Sequence, residues 1–446
     1  MWEEVFPNFY KLLYNIFFKK YIDFYKNYII IISGENRKIS YVEMPLYKED
    51  KLVKKISKVL IAVFLIVSFA MNLASCGSSA NSSNESNKTS GVNEKEETQS
   101  SNTSKDLYIL NFNDYLSEEA LKIFEEETGI TVHEDKFESN EDVLPKIESG
   151  VSYDLICISD YCIETMIEKD LLLPIDKSKI PNISNINKDK LKSLSVCDPG
   201  NTYAVPYFCG TMGIIFNKEK LDAKNIPYPT KWADLFNPAL KGELLMQSSV
   251  RDLYTVALKK NGFSVNSKNK DEIDKCTEEF IKQKPYVEGY FVDEIKDKIA
   301  SGNAGIAPIT SGDVQLVYEK DASDNQEKYC FIIPEEGTQI FIDAWCIVKN
   351  AENVDNAHKF IDYMCREDIA KLNSEYVGYE SVNDKASDDE FLVMKQIDGA
   401  YIDYSNGNFE QERNVADAIQ YYIDGLLSIQ GANWIQIGTY LIRKKM

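Results

Sequence analysis

An α/β fold built on a parallel sheet is predicted from Asp106 onward, and three observations predict it. Apolar patterns of strand type and helix type alternate along the chain. The first helical stretch carries its own start and stop residues. The segments also recur at the rhythm of βαβ units. "LYILNF" (107–112) is an apolar strand. "SEEALKIFEEETG" (117–129) is an amphipathic helix with Ser117 able to cap it, acidic residues in its first turn, an apolar stripe through Leu121, Ile123 and Phe124, and a terminating Gly. "ITVHEDKF" (130–137) is a second strand, "SNEDVLPKIESG" (139–150) a short helix, and "YDLICIS" (153–159) a third strand running into "DYCIETMIEKDLL". Parallel sheets bind ligands at the carboxyl ends of their strands. Those ends are "NFNDY" (111–115) and "SDY" (159–161).

A later stretch, "GTQIFIDAWCIVKN" (337–350), sets a physical problem. Asp343 is a single carboxylate in an apolar and aromatic run, with Phe341 and Trp345 two residues to either side. Burying it without a partner would cost several kcal/mol, so something must answer the charge. By strand alternation Trp345 shares its face, and either a ligand or the core can be what it reaches.

Composition narrows the function classes. An apolar fraction of 44% and a charged fraction of 27% are ordinary for a globular protein, but the net charge of −21 is not. The first 75 residues hold 11 Lys and Arg against 7 Asp and Glu, leaving 39 against 64 for the rest. A body that acidic repels nucleic acid and draws in cations. The nine Cys are scattered, with no CxxC pair, and several sit in apolar runs as small hydrophobes, such as Cys157 and Cys346. With two His and no GxSxG, HExxH, P-loop or dinucleotide fingerprint, neither an enzyme nor a metal or cofactor site is expected.

The N-terminus reads as an address. In "KLVKKISKVLIAVFLIVSFAMNLASCGSS" (51–79) four Lys precede an apolar stretch from Val59 to about Met71. That length suits a secretory signal better than a membrane span of ~20 residues. "LASC" ends at Cys76 and resembles a bacterial lipobox, whose Cys is lipidated and becomes the mature N-terminus. Residues 1–75 are then signal plus an extension; a signal starting at Met44 would leave 1–43 either a miscalled start or a genuine additional segment. From Gly77 to Lys105 the chain is Ser, Asn, Thr, Glu and Lys, a composition expected to stay disordered. Residues 76–105 would thus form a lipidated Cys and a tether, about 30 Å in r.m.s. span.

The body resembles the bacterial spermidine/putrescine-binding proteins, the extracytoplasmic solute receptors of polyamine ABC transporters. The likeness is carried by "YILNFNDYL", "FEEETGITV", "YDLICISDY", "YAVPYFCGTMGIIFN", "WADLFNPALKGELLM", "SVRDLYTVALKKNG", "GTQIFIDAWCIVKN" and "YVGYESVN", in family order over most of 106–430. It implies a two-lobed, type II periplasmic-binding-protein-like fold with its ligand cleft between the lobes. Residues 106–215 and 343–390 would form lobe 1, and 216–342 and 391–446 lobe 2.

A polyamine is a hydrocarbon chain with ammonium groups at intervals. Its site needs aromatic faces for cation–π and methylene contacts, and carboxylates for the desolvated ammonium groups. By resemblance, Phe112, Asn113 and Tyr115 line the cleft after strand one, and Ser159 and Tyr161 match a Ser-x-Tyr. Asp252 falls at an acidic amine ligand, Phe341 and Asp343 at an aromatic-x-Asp, and Tyr379 at a Tyr that closes the pocket. Gln411 or Glu412 falls at a polar ligand position. Read without the family, Phe112 and Tyr161 fit core aromatics, and Asp252 fits a first-turn helix residue beside Arg251. Phe112 and Phe341 stand where the family often has Trp. Ser249 stands where some members have a second acid, and Thr310 where an aromatic is common.

The expected function is therefore a lipid-anchored, monomeric receptor for spermidine or putrescine on the outer face of the membrane, delivering ligand to a permease. A same-fold receptor for another small solute, or a surface sensor or adhesin, is the alternative.

Overall fold

A computed structural model describes residues 104–323, 325–386 and 408–430. The expected signal, Cys76, the tether up to 103, residues 387–407 and the tail 431–446 lie outside the described residues.

β1 (Asp106–Phe112), α1 (Glu118–Thr128), β2 (Thr131–Phe137), α2 (Val143–Glu148), β3 (Leu155–Ser159) and α3 (Asp160–Glu168) follow one another as the sequence periods require. Ser117 accepts a hydrogen bond from the Ala120 amide, and Gly129 ends α1 at φ 66°, where a side chain would be strained. Short β4 (Leu172–Leu173) and α4 (Lys188–Leu194) lead into the long β5 (Ala204–Asn217). Beyond it come α5 (Lys218–Ala223), β6 (Leu244–Gln247), α6 (Val250–Lys260) and α7 (Lys270–Gln283). β7 (Val287–Phe291), α8 (Glu294–Ala300), β8 (Ile306–Thr310), α9 (Asp313–Lys320) and β9 (Tyr329–Ile332) complete that half. The chain returns along β10 (Thr338–Val348) to α10 (Val354–Met364) and α11 (Glu367–Val377), then β11 (Phe409–Gln411) and α12 (Ile419–Gln430).

The strands order β2-β1-β3-β10-β5-β8-β6-β7, with β4 and β11 on β10 and β9 on β5. β1 is parallel to β2 and β3, as the βαβ reading requires, and β6 is parallel to β7 and β8. β5 and β10 run antiparallel to each other and to their neighbours β8 and β3. These two strands join the halves. The first part of β5 pairs with β10, while Met212 to Asn217 pair with β8 and β9.

The fold is the two-lobed type II binding-protein architecture. Two hydrophobic clusters, around Phe124 with Trp345 and around Ile156 with Ile163, draw on residues before Gly210 and after Ile340. Two others, around Trp232 with Tyr254 and around Phe331 with Ile299, draw on the residues between and on α12. Cys157 and Cys346 are wholly buried in the first pair. Where the lobes meet, the backbone must come close: a Cβ on Gly210 would stand 2.5 Å from the Tyr379 ring and 2.7 Å from the Phe341 ring.

Candidate functional site

The carboxyl ends of β1 and β3 open on a cavity of about 110 Å³ between the lobes. All ten of the ligand residues expected from the sequence line it. Phe112, Asn113 and Tyr115 enter from the end of β1, Ser159 and Tyr161 from the β3–α3 junction, and Asp252 from the first turn of α6. Phe341 and Asp343 come from β10, Tyr379 from the turn after α11, and Glu412 from the residue after β11. Gln411 does not line the cavity: its amide bonds Asp160 Oδ2 at 2.9 Å and the Ser193 carbonyl. Of the two residues between which the resemblance left a choice, Glu412 is the one at the wall.

Asp343 is answered, but among the described residues not by a protein cation. It sits opposite Ser159 in the β10–β3 register, and Ser159 Oγ donates to its Oδ1 at 2.6 Å. Tyr115 Oη donates to its Oδ2 at 2.5 Å. A register shift between Asp343 and Ala344 on the β5 side breaks the ladder beside it, the usual device for re-aiming a side chain. Burial pushes the Asp343 pKa up to about 6, the two hydroxyls holding it down and nearby Asp252 adding to the rise. Trp345 reaches the core instead: it is 1% exposed and lies 5.2 Å from the Tyr207 ring and 5.3 Å from the Phe360 ring.

Asp252 is likewise held by neutral donors. Gln339 Nε2 donates to its Oδ1 at 2.6 Å, and burial raises its pKa. The neighbouring Arg251 is drawn off to Glu412, with Nε 3.0 Å from Oε1, and lies over the Tyr161 ring at 4.9 Å. Burial raises the Glu412 pKa even though Arg251 opposes it.

Aromatic side chains supply the apolar wall. Phe112 packs edge-on to Tyr115 at 5.2 Å, and Tyr115 edge-on to Tyr379 at 5.6 Å. Tyr379 lies flat on Gly312, where a Cβ would come within 2.1 Å of its ring, so a side chain at 312 would force the Tyr out of place.

Sequence reasoning missed Asp293 and Asp313, which also line the cavity. They follow the carboxyl ends of β7 and β8. The strand-end rule that located 111–115 and 159–161 would have found them had it been applied to "EGYFVDEI" and "IAPITSGD" as well. Among the described residues no group of three or more His, Cys, Asp or Glu is placed to hold a metal ion.

A cleft lined by carboxylates and aromatic rings between two such lobes is the site of a solute receptor. The chain belongs to the bacterial extracellular solute-binding proteins, whose family model matches residues 119–397, more than half its length. Its relatives are more specific. It is 32% identical over 279 residues to the spermidine/putrescine-binding periplasmic protein of Escherichia coli (strain K12), an alignment covering 62% of this chain and 77% of that one. Two solved structures are also similar. One is the spermidine/putrescine ABC transporter substrate-binding protein PotD from Streptococcus pneumoniae strain Canada MDR_19A, at 31% identity and TM-score 0.55, covering 73% of this chain and 99% of that one. The other is the Tp0655 (TpPotD) lipoprotein of Treponema pallidum, at 26% identity and TM-score 0.64, with the same coverage.

Proposed function

We propose that this chain is a lipid-anchored receptor that captures a polyamine such as spermidine or putrescine and delivers it to an ABC transporter permease. The observation that carries the reading is the state of Asp343. It is 3% exposed, receives hydrogen bonds from two hydroxyls, and lines the cavity with no cation of the described residues bonded to it. An ammonium group is the partner that such a carboxylate lacks. Asp252 offers a second position of the same kind, and Phe112, Tyr161, Phe341 and Tyr379 provide surfaces for the methylenes between. Asn113, Tyr115 and Ser159 orient the charged groups, and Glu412 contributes through Arg251. The names of the relatives agree with this ligand class.

Lobe 1 is taken as 106–215 with 343–390, and lobe 2 as 216–342 with 391–446, closing on the ligand as a monomer. Binding should raise the melting temperature of the purified protein. At a ligand concentration a hundredfold above Kd, linkage predicts about 2.7 kcal/mol of stabilisation. Calorimetric titration with polyamines, amino acids, thiamine and sugars tests the assignment. Heat from another solute and none from any polyamine would reject it.

Anchoring is assigned to Cys76 within "LASC", and the lipoprotein relative agrees with that. Replacing Cys76 by Ala should release the protein into the medium or leave its signal uncleaved. Continued incorporation of labelled fatty acid into Cys76→Ala would rule out this anchor.

A further inference from the structure

A cavity built for cations should hold no lysine at its wall, yet one stands immediately behind it. Lys296 in α8 has a side chain only 3% exposed, and its ammonium lies 3.2 Å from Asp293 Oδ1, 3.4 Å from Asp313 Oδ1 and 3.3 Å from Asp114 Oδ2. Burial works against its charge, but Asp313, Asp293 and Asp114 more than offset this and raise its pKa. Asp293 and Asp313 are the two cavity-lining carboxylates that the sequence reading overlooked. Their remaining oxygens are also engaged, Asp293 Oδ2 by Asn113 Nδ2 at 2.7 Å and Asp313 Oδ2 by Thr310 Oγ1 at 2.7 Å.

We propose that Lys296 is a specificity-determining residue that limits the cavity to amines with two charged centres. The inference rests on the polyamine reading above. Among the described residues six carboxylates line the cavity, and they differ in what holds them. Among the described residues, Asp343 and Asp252 accept only from neutral donors and lack a bonded cation. Glu412 is paired with Arg251, while Asp293 and Asp313 share Lys296. Glu138 is exposed at the rim, where solvent and salt screen it. A linear diamine therefore matches Asp343 and Asp252 with one ammonium each. A third ammonium that reached for Asp293 or Asp313 would meet two carboxylates whose charge Lys296 already answers, with that fixed positive charge beside them.

The test is calorimetric titration of the wild-type protein, Lys296→Met and Lys296→Arg with putrescine and with spermidine. Wild type should prefer the diamine. Lys296→Met, which frees Asp293 and Asp313, should shift the spermidine-to-putrescine affinity ratio toward spermidine by at least about tenfold. Lys296→Arg keeps the charge and should keep the wild-type ratio. Because Lys296→Met leaves three carboxylates without their cation, Lys296→Met/Asp114→Asn is titrated beside it. Asp114 does not line the cavity, and its removal relieves part of the repulsion. A wild-type preference for spermidine, or an unchanged ratio in a folded variant lacking Lys296, overturns the inference and leaves the receptor reading intact. Binding of neither amine to wild type overturns that reading, and this inference falls with it.

Discussion

Asp343→Asn is expected to lose polyamine binding while making the free protein more stable at neutral and mildly alkaline pH. One buried charge has two opposite consequences. In the proposed complex the carboxylate faces an ammonium, and removing one partner of a buried charge pair costs about 2–5 kcal/mol of affinity, thirtyfold or more. In the free protein the same carboxylate is buried with only Ser159 and Tyr115 hydroxyls to hold it. Its pKa is raised to about 6, against about 4 in an unfolded chain. A carboxyl that holds its proton more tightly when folded stabilises the fold when protonated. Stability therefore falls as pH rises from about 4 through about 6 and stays lower above. The gap of about two pKa units corresponds to an upper bound of roughly 3 kcal/mol. Asn cannot ionise, so its variant should show no such fall, matching wild type near pH 4 and exceeding it at pH 8. Affinity has the opposite sign: wild type should bind the cation more tightly as pH rises through 6, and Asp343→Asn should show no such gain. Urea unfolding at pH 4 and pH 8, with titrations at pH 5 and pH 8, checks both. Unchanged affinity in the variant would remove Asp343 from the site.

The reasons that some features were legible in sequence and others were not are local. A strand entering a core with one Asp in it is a violation of pattern. Such violations stand out because burial without a partner is costly, so Asp343 could be singled out from "FIDAW" alone. Ser117 and Gly129 were legible because caps obey fixed spacings. Lys296 was not. In "FVDEIKDKIA" it reads as one more solvated charge on a short helix, and only the meeting of α8 with the loop after β1 turns it inward onto Asp114, Asp293 and Asp313. The partner of Glu412 was beyond reach for the same reason. The pair is separated by 161 positions, and no periodicity links residues so far apart. The side on which Trp345 would matter stayed open because alternation gives a face but not the neighbour that covers it. The core around Phe360 and Tyr207 decides it.

Arg251→Met should be among the most destabilising single substitutions at the cavity, and Arg251→Met/Glu412→Gln should recover most of the loss. Arg251 is 2% exposed, and its whole guanidinium is engaged: Nε bonds Glu412 at 3.0 Å, Nη2 bonds Asn266 Oδ1 at 2.9 Å, and Nη1 bonds the Arg413 carbonyl at 3.4 Å. Its planar face covers Tyr161, so it also packs the first lobe against α6. Methionine replaces the aliphatic bulk but leaves Glu412 buried without a cation, near Asp252 and Glu141, whose charges already raise its pKa together with burial. Breaking a buried pair from one side costs about 3–5 kcal/mol, whereas exchanging both partners for neutral groups is often close to neutral. The single variant's defect should therefore shrink as pH falls, because protonation of Glu412 removes the uncompensated charge. The double variant should show no such dependence. Chemical unfolding of wild type, both singles and the double, at pH 5 and pH 8, gives the coupling energy directly. A loss below about 1 kcal/mol in Arg251→Met, or additivity of the two singles, would mean that the ion pair is not what holds this wall of the cavity.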